Sequence, residues 1–74
     1  MKAIVQVIWD NNSNKLRVTP VDGTGWVRFP RHLRVEGATY LVTDLREGKA
    51  GSWIAAGEIK SVSVSEALSF RKAV

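Results

Sequence analysis

The chain has no cysteine. Disulfide staples and thiolate metal sites are therefore excluded, and a reducing compartment is the natural setting. It has one histidine, His32, so any nucleophile with an imidazole base, or any histidine-ligated metal, has to be built around that residue. No stretch approaches the ~20 apolar residues of a membrane-spanning helix. The apolar start, residues 1–9, is interrupted by Gln6 and reaches Asp10 without a small-residue cleavage site, unlike a secretory signal. A soluble, cytoplasmic chain with no membrane contact is the expectation.

With 74 residues there is room for one domain and a small core. A chain of this size buries only about 60% of the surface its unfolded form exposes, leaving a net stability of a few kcal/mol. Without covalent staples, pairing of two copies is a common way to add burial, so a homodimer is a reasonable expectation. The hydrophobic fraction of 45% is too high for a disordered chain and ordinary for a globular one.

Acidic residues are scarce in one segment only. The net charge is +4. Lys2 and Asp10 cancel in residues 1–14. In residues 35–74, Arg46, Lys49, Lys60, Arg71 and Lys72 cancel Glu36, Asp44, Glu47, Glu58 and Glu66. The whole excess lies in residues 15–34, where Lys15, Arg17, Arg28, Arg31 and Arg34 face Asp22 alone. Such asymmetry can steer an acidic partner to one surface; a merely solubilising face is the plain alternative.

Residues 3–9 alternate, with Ala3, Val5, Val7 and Trp9 on one side and Ile4, Gln6 and Ile8 on the other, which predicts a strand central to its sheet. Asp10, Asn11, Asn12, Ser13 and Asn14 form a dense turn signal, and residues 15–19 alternate again as the return arm of a hairpin. Pro20 predicts a strand end. After a turn at Asp22, Gly23, Thr24 and Gly25, residues 26–29 predict a short strand with Val27 and Phe29 inward and Trp26 and Arg28 on the other face. Pro30 is suited to open one helical turn in which Arg31 and Arg34 share a face and Leu33 faces the core. Residues 38–45 predict a strong strand, residues 47–51 a glycine-bearing loop, residues 52–56 a short strand ended by Gly57, and residues 58–64 a last strand. Ser63 and Glu66 match a capping box, so a short C-terminal helix is expected, docked through Leu68 and Phe70.

Five to six short strands at this spacing predict a mainly β domain. It is a small antiparallel sheet or a partly open SH3- or OB-like barrel, with a short C-terminal helix and a single unit over residues 1–74.

Catalysis finds little support. There is no Gly-x-Ser-x-Gly elbow. Gly48, Lys49, Ala50, Gly51 and Ser52 lack the Gly-Lys-Ser/Thr ending of a phosphate loop, and the carboxylates sit mostly in or beside predicted turns. No cofactor or metal is implied. What remains is a candidate binding set: Lys15, Arg17, Trp26, Arg28, Arg31, His32 and Arg34. Guanidinium groups contact phosphates as planar forks, and aromatic faces stack on unpaired bases, so the first expectation is a small basic module that contacts nucleic acid and is not an enzyme. The second is a protein-interaction module or homodimeric accessory protein, of the kind a phage or mobile element carries. It would use exposed tryptophans among Trp9, Trp26 and Trp53, or meet an acidic protein surface.

Overall fold

The computed structural model describes residues 1–72, without the side chains of the last two, Arg71 and Lys72, whose charges therefore lie outside the described set. The strands are β1 (Ala3–Asp10), β2 (Lys15–Pro20), β3 (Val27–Arg28), β4 (Thr39–Glu47) and β5 (Trp53–Ser61), followed by helix α1 (Val64–Lys72). Single 3-10 turns occupy Arg31–Leu33 and Lys49–Gly51. Among the described residues no helix is long and apolar enough to cross a membrane.

The strand order is β1-β2-β3-β5-β4, and β4 returns to pair with β1. Among the described residues every pairing is antiparallel except β3 with β5, which is parallel and is connected through β4. The five strands thus form a mixed sheet that closes on itself without making a clean barrel. It is thin at one seam, because β2 and β3 share only the register pair Val18 with Val27. The parallel pair is not legible in the strand pattern, because it depends on where the turn after β3 sends the chain.

The β1–β2 hairpin forms as the turn chemistry requires. Asp10 Oδ1 accepts from the Asn12 amide at 3.1 Å, Oδ2 accepts from the Ser13 hydroxyl at 2.7 Å, and the Asn14 amide donates to the Asp10 carbonyl at 2.8 Å. Inside the barrel, Val5, Val7, Val18, Val27, Phe29, Tyr40, Val42 and Leu45 form the core. Each such aliphatic side chain contributes about 2 kcal/mol on burial. The Phe29 and Tyr40 rings meet with centroids 5.2 Å apart, and the Tyr40 hydroxyl donates to the Leu33 carbonyl at 2.7 Å. That bond holds the turn at Arg31–Leu33 against one end of the barrel, with Leu33 packed on the core.

Two expectations are corrected. Gly57 does not end a strand, because β5 runs on through it. Between the pairs Val42–Ile59 and Asp44–Ala56 the register shifts by one residue, and Gly57, at φ +70°, supplies the bulge. Thr43 Oγ1 accepts from the Glu58 amide at 2.8 Å and holds that bulge in place. Trp9, near the end of β1, is 46% exposed, while Asp10 beside it is buried. Leu68 does not dock α1. Ala67 is buried and Phe70, three residues on, is half-buried, so the helix turns Leu68 outward. The capping box is formed in both directions, Ser63 amide to Glu66 Oε1 and Glu66 amide to Ser63 Oγ, each at 3.1 Å.

Candidate functional site

The outward residues of β2 and β3 meet at the thin seam. Val18 and Val27 pair with both side chains buried, so the pleat turns Arg17 and Lys15 outward on β2, and Trp26 and Arg28 outward beside them. The parallel pairing of β3 with β5 sets Arg28 opposite Ile54 on the same outer face. The loop between β4 and β5 rises beside them and brings Lys49. The result is an open cavity of about 660 Å³ lined by these residues together with Arg34, Glu47, Ser52 and Trp53.

Five of the seven residues singled out in the sequence therefore share one concave surface: Lys15, Arg17, Trp26, Arg28 and Arg34. Arg31 and His32 do not line it. They lie exposed in the 3-10 turn, because Leu33 takes the inward position there. Arg31 and Arg34 consequently play different parts. Arg34, half-buried, folds back so that its Nη2 donates to the Phe29 carbonyl at 2.9 Å, while its buried Nε has no hydrogen-bond partner among the described residues.

Lys49 and Ile54 were missed, and Trp53 was named only among the tryptophans that a protein partner would use. They are distant in sequence from residues 15–34, and only the β3–β5 pairing brings them near. A lysine set between two loop glycines was the one signal available for Lys49.

The walls of the groove are tied together. The Trp53 indole N–H donates to the Thr24 carbonyl at 2.8 Å, and its backbone amide donates to the Trp26 carbonyl at 2.9 Å. Gly25, at φ +96°, packs so closely on the loop between β4 and β5 that a Cβ there would overlap the Gly51 carbonyl oxygen. Within that loop the Gly48 amide donates to the Ser52 carbonyl at 2.8 Å, and the Ser52 hydroxyl and amide both donate to the Lys49 carbonyl, at 2.6 and 3.1 Å. Ala50 is held there in the left-handed region, at φ 55° and ψ 43°, a conformation that costs a residue with a Cβ about 1 kcal/mol.

Most cations of the groove are unpaired among the described residues, and Glu47 is the one carboxylate in its described lining. Arg17 Nη1 lies 3.5 Å from Asp10 Oδ2, and its guanidinium carbon sits 4.2 Å from the centroid of the Trp26 ring, a cation–π distance. Lys15, Arg28, Arg34 and Lys49 form no ion pair among the described residues. Asp10 is held below the usual carboxylate range, first by the Ser13 hydroxyl, then by the Asn12 amide and Arg17, against an opposing effect of burial. Among the described residues no three His, Cys, Asp or Glu side chains gather as metal ligands would.

The chain matches no protein-family model, and neither a curated protein nor a solved structure is significantly similar to it.

Proposed function

We propose that the protein is a non-catalytic binding module that takes nucleic acid into the groove over β2, β3 and β5. The observation that carries this reading is the gathering of Lys15, Arg17, Arg28, Arg34 and Lys49 round one concave surface with two tryptophans in its lining. Uncompensated cations supply attraction to a phosphate backbone, and apolar or planar side chains between them supply contact with bases. The OB-like barrel is a scaffold on which this face and the flanking loops bind oligonucleotides in other proteins. A cytoplasmic location agrees with this reading, since a chain without cysteine requires no oxidising compartment.

The test is fluorescence anisotropy of a labelled 12-nucleotide single strand titrated at increasing salt. A strand neutralised at four or five phosphates gives a log–log slope of about −3. Binding at low salt that weakens on that slope is expected, and no binding at low salt rejects the reading.

A second reading is supported by Trp9, which lies outside the groove lining and is 46% exposed. A large exposed indole suits contact with a protein surface or a second copy of this chain. Light scattering that gives a dimer mass for the wild type and a monomer mass for Trp9→Ala would favour it. A monomer mass for both removes the homodimer.

A further inference from the structure

The groove holds two kinds of cation. Arg28 and Lys49 are exposed and without carboxylate partners among the described residues. Arg17 is engaged twice, with its guanidinium over the Trp26 ring at 4.2 Å and its Nη1 at 3.5 Å from Asp10 Oδ2. A phosphate that took Arg17 in a fork would compete with both contacts, whereas Arg28 and Lys49 have nothing to give up.

Asp10 is itself immobilised. It is buried at the end of β1, where Oδ1 accepts from the Asn12 amide and Oδ2 from the Ser13 hydroxyl. Its register partner on β2 is Lys15, yet its ion pair is with Arg17, two residues along the strand. The turn at residues 11–14 thus fixes Asp10, Asp10 fixes Arg17, and Arg17 lies on Trp26. A guanidinium has two faces. The guanidinium carbon lies over the indole at 4.2 Å, and the side chain, 30% exposed, lines the groove. Unpaired bases stack on such guanidinium planes as they do on aromatic rings.

We infer that Arg17 is a base-stacking residue, that Asp10 is the positioning residue which holds it over Trp26, and that the ligand is single-stranded nucleic acid whose phosphates meet Arg28 and Lys49. The inference rests on the nucleic-acid reading and narrows it. A duplex keeps its base faces inside the stack and offers none to Arg17, so a single strand is preferred. It also reverses the simplest assignment, in which Trp26 would meet the base and every arginine a phosphate.

The experiment combines binding with a ligand-free readout. Anisotropy with a labelled oligothymidine 12-mer and with a 12-base-pair duplex compares wild type, Arg17→Lys, Arg28→Lys and Asp10→Asn, each first checked by thermal melting. Arg17→Lys keeps the charge and loses the plane, so its affinity for the single strand is expected to fall about ten-fold with the salt slope unchanged. Arg28→Lys keeps a point charge for phosphate and is expected to stay within about two-fold. The duplex is expected to bind at least ten-fold more weakly than the single strand. In the free protein, the indole ring is expected to shift the Arg17 side-chain proton resonances upfield; Asp10→Asn is expected to reduce that shift and to weaken single-strand binding several-fold. Arg17→Lys binding like wild type overturns the stacking role and leaves the nucleic-acid reading standing. Equal affinity for the duplex overturns the single-strand assignment in the same way. An undiminished ring-current shift in Asp10→Asn overturns the positioning role. A wild type that binds neither oligonucleotide at low salt overturns the nucleic-acid reading itself, and the stacking role with it.

Discussion

Two charged regions of this small barrel are built on opposite plans. Around Asp44, charge is neutralised on the spot: the carboxylate accepts from Arg46 Nε at 2.8 Å, lies 2.7 Å from its Nη2, and has the N-terminal ammonium 3.6 Å from its other oxygen. In the groove, Lys15, Arg28, Arg34 and Lys49 have no such partner among the described residues, and the one arginine that does have a partner is also stacked on an indole. Exposed pairs of the Asp44 kind contribute little to stability, about 1 kcal/mol at most in general. Their effect is to cancel field. Where cancellation is absent, potential is left over for a ligand, and the rigid loop contacts around Gly25 and Trp53 keep the charges in one arrangement.

The largest expected effect compares two glycines, one in each region. Gly25→Ala drives a Cβ into the Gly51 carbonyl, which is backbone and has little room to yield, at a residue with φ +96°. A loss of about 2 kcal/mol or more is expected in chemical denaturation, with a matching loss of affinity as the loops part. Gly57→Ala, in the bulge opposite Thr43, meets the Thr43 hydroxyl and, at 3.1 Å, the Asp44 Cβ; the hydroxyl can rotate away, but only by giving up its bond from the Glu58 amide. It is expected to cost less, about 1 kcal/mol, and to leave binding alone. If Gly57→Ala proves the more damaging, the groove walls are not the tighter junction.

Next comes charge. The double variant Arg28→Ala/Lys49→Ala is expected to lower oligonucleotide affinity at least ten-fold at moderate salt and to reduce the salt slope by about 1.4, roughly 0.7 per phosphate contact. Arg46→Ala removes a cation that Asp44 already neutralises, and its affinity is expected to stay within about two-fold. Equal losses from the two would mean that the groove cations are no more available than the paired one.

A smaller effect is expected at Ala50, whose left-handed backbone presents Lys49 beside the groove. Ala50→Gly relieves about 1 kcal/mol of conformational cost and is expected to raise the unfolding midpoint. An unchanged or lower midpoint would show that the loop is not strained there.

The smallest effect is with pH. Asp10 and Asp44 are both held below the ordinary carboxylate range, Asp10 chiefly by the Ser13 hydroxyl and Asp44 chiefly by Arg46. A folded value below the unfolded one means stability that is fully present above about pH 4 and is lost as pH falls through the depressed folded value. Asp10→Asn is expected to flatten that acid limb and Asp44→Asn to flatten it too, as followed by melting temperature between about pH 5 and pH 2. The comparison sharpens if only the groove-side variant also alters the Arg17 ring-current shift.

Much of the scaffold could be read from residue order because its determinants are local. The Asp10–Asn14 turn, the capping box of Ser63 and Glu66, and the alternation along β1, β2 and β4 each depend on neighbours a few positions apart. The site was readable in part for the same reason. Lys15 and Arg17 lie on β2, and Trp26 and Arg28 before and on β3, so a period of two assigns each pair to one face, and the β2–β3 pairing joins the two. Arg31 and His32 were grouped with them by proximity in the chain, and a single 3-10 turn was enough to carry them out of the groove. Phe70, rather than Leu68, docks the helix because the rotation at which α1 meets β4 depends on packing and not on hydrophobicity alone.

By itself, then, the sequence determined a mainly β domain without disulfides, the positions of its turns, and a positive charge concentrated in residues 15–34. Only the tertiary structure decided that Lys49, Trp53 and Ile54 complete the groove, through the parallel pairing of β3 with β5. It alone decided that Arg17 is clamped between Asp10 and Trp26 while Arg28 and Lys49 stay free of ion pairs among the described residues. The physical reason is range. Turn chemistry, capping and alternation act over a few residues, whereas the partner of a charge or the neighbour of a short strand is settled by which distant segments the closing barrel brings together.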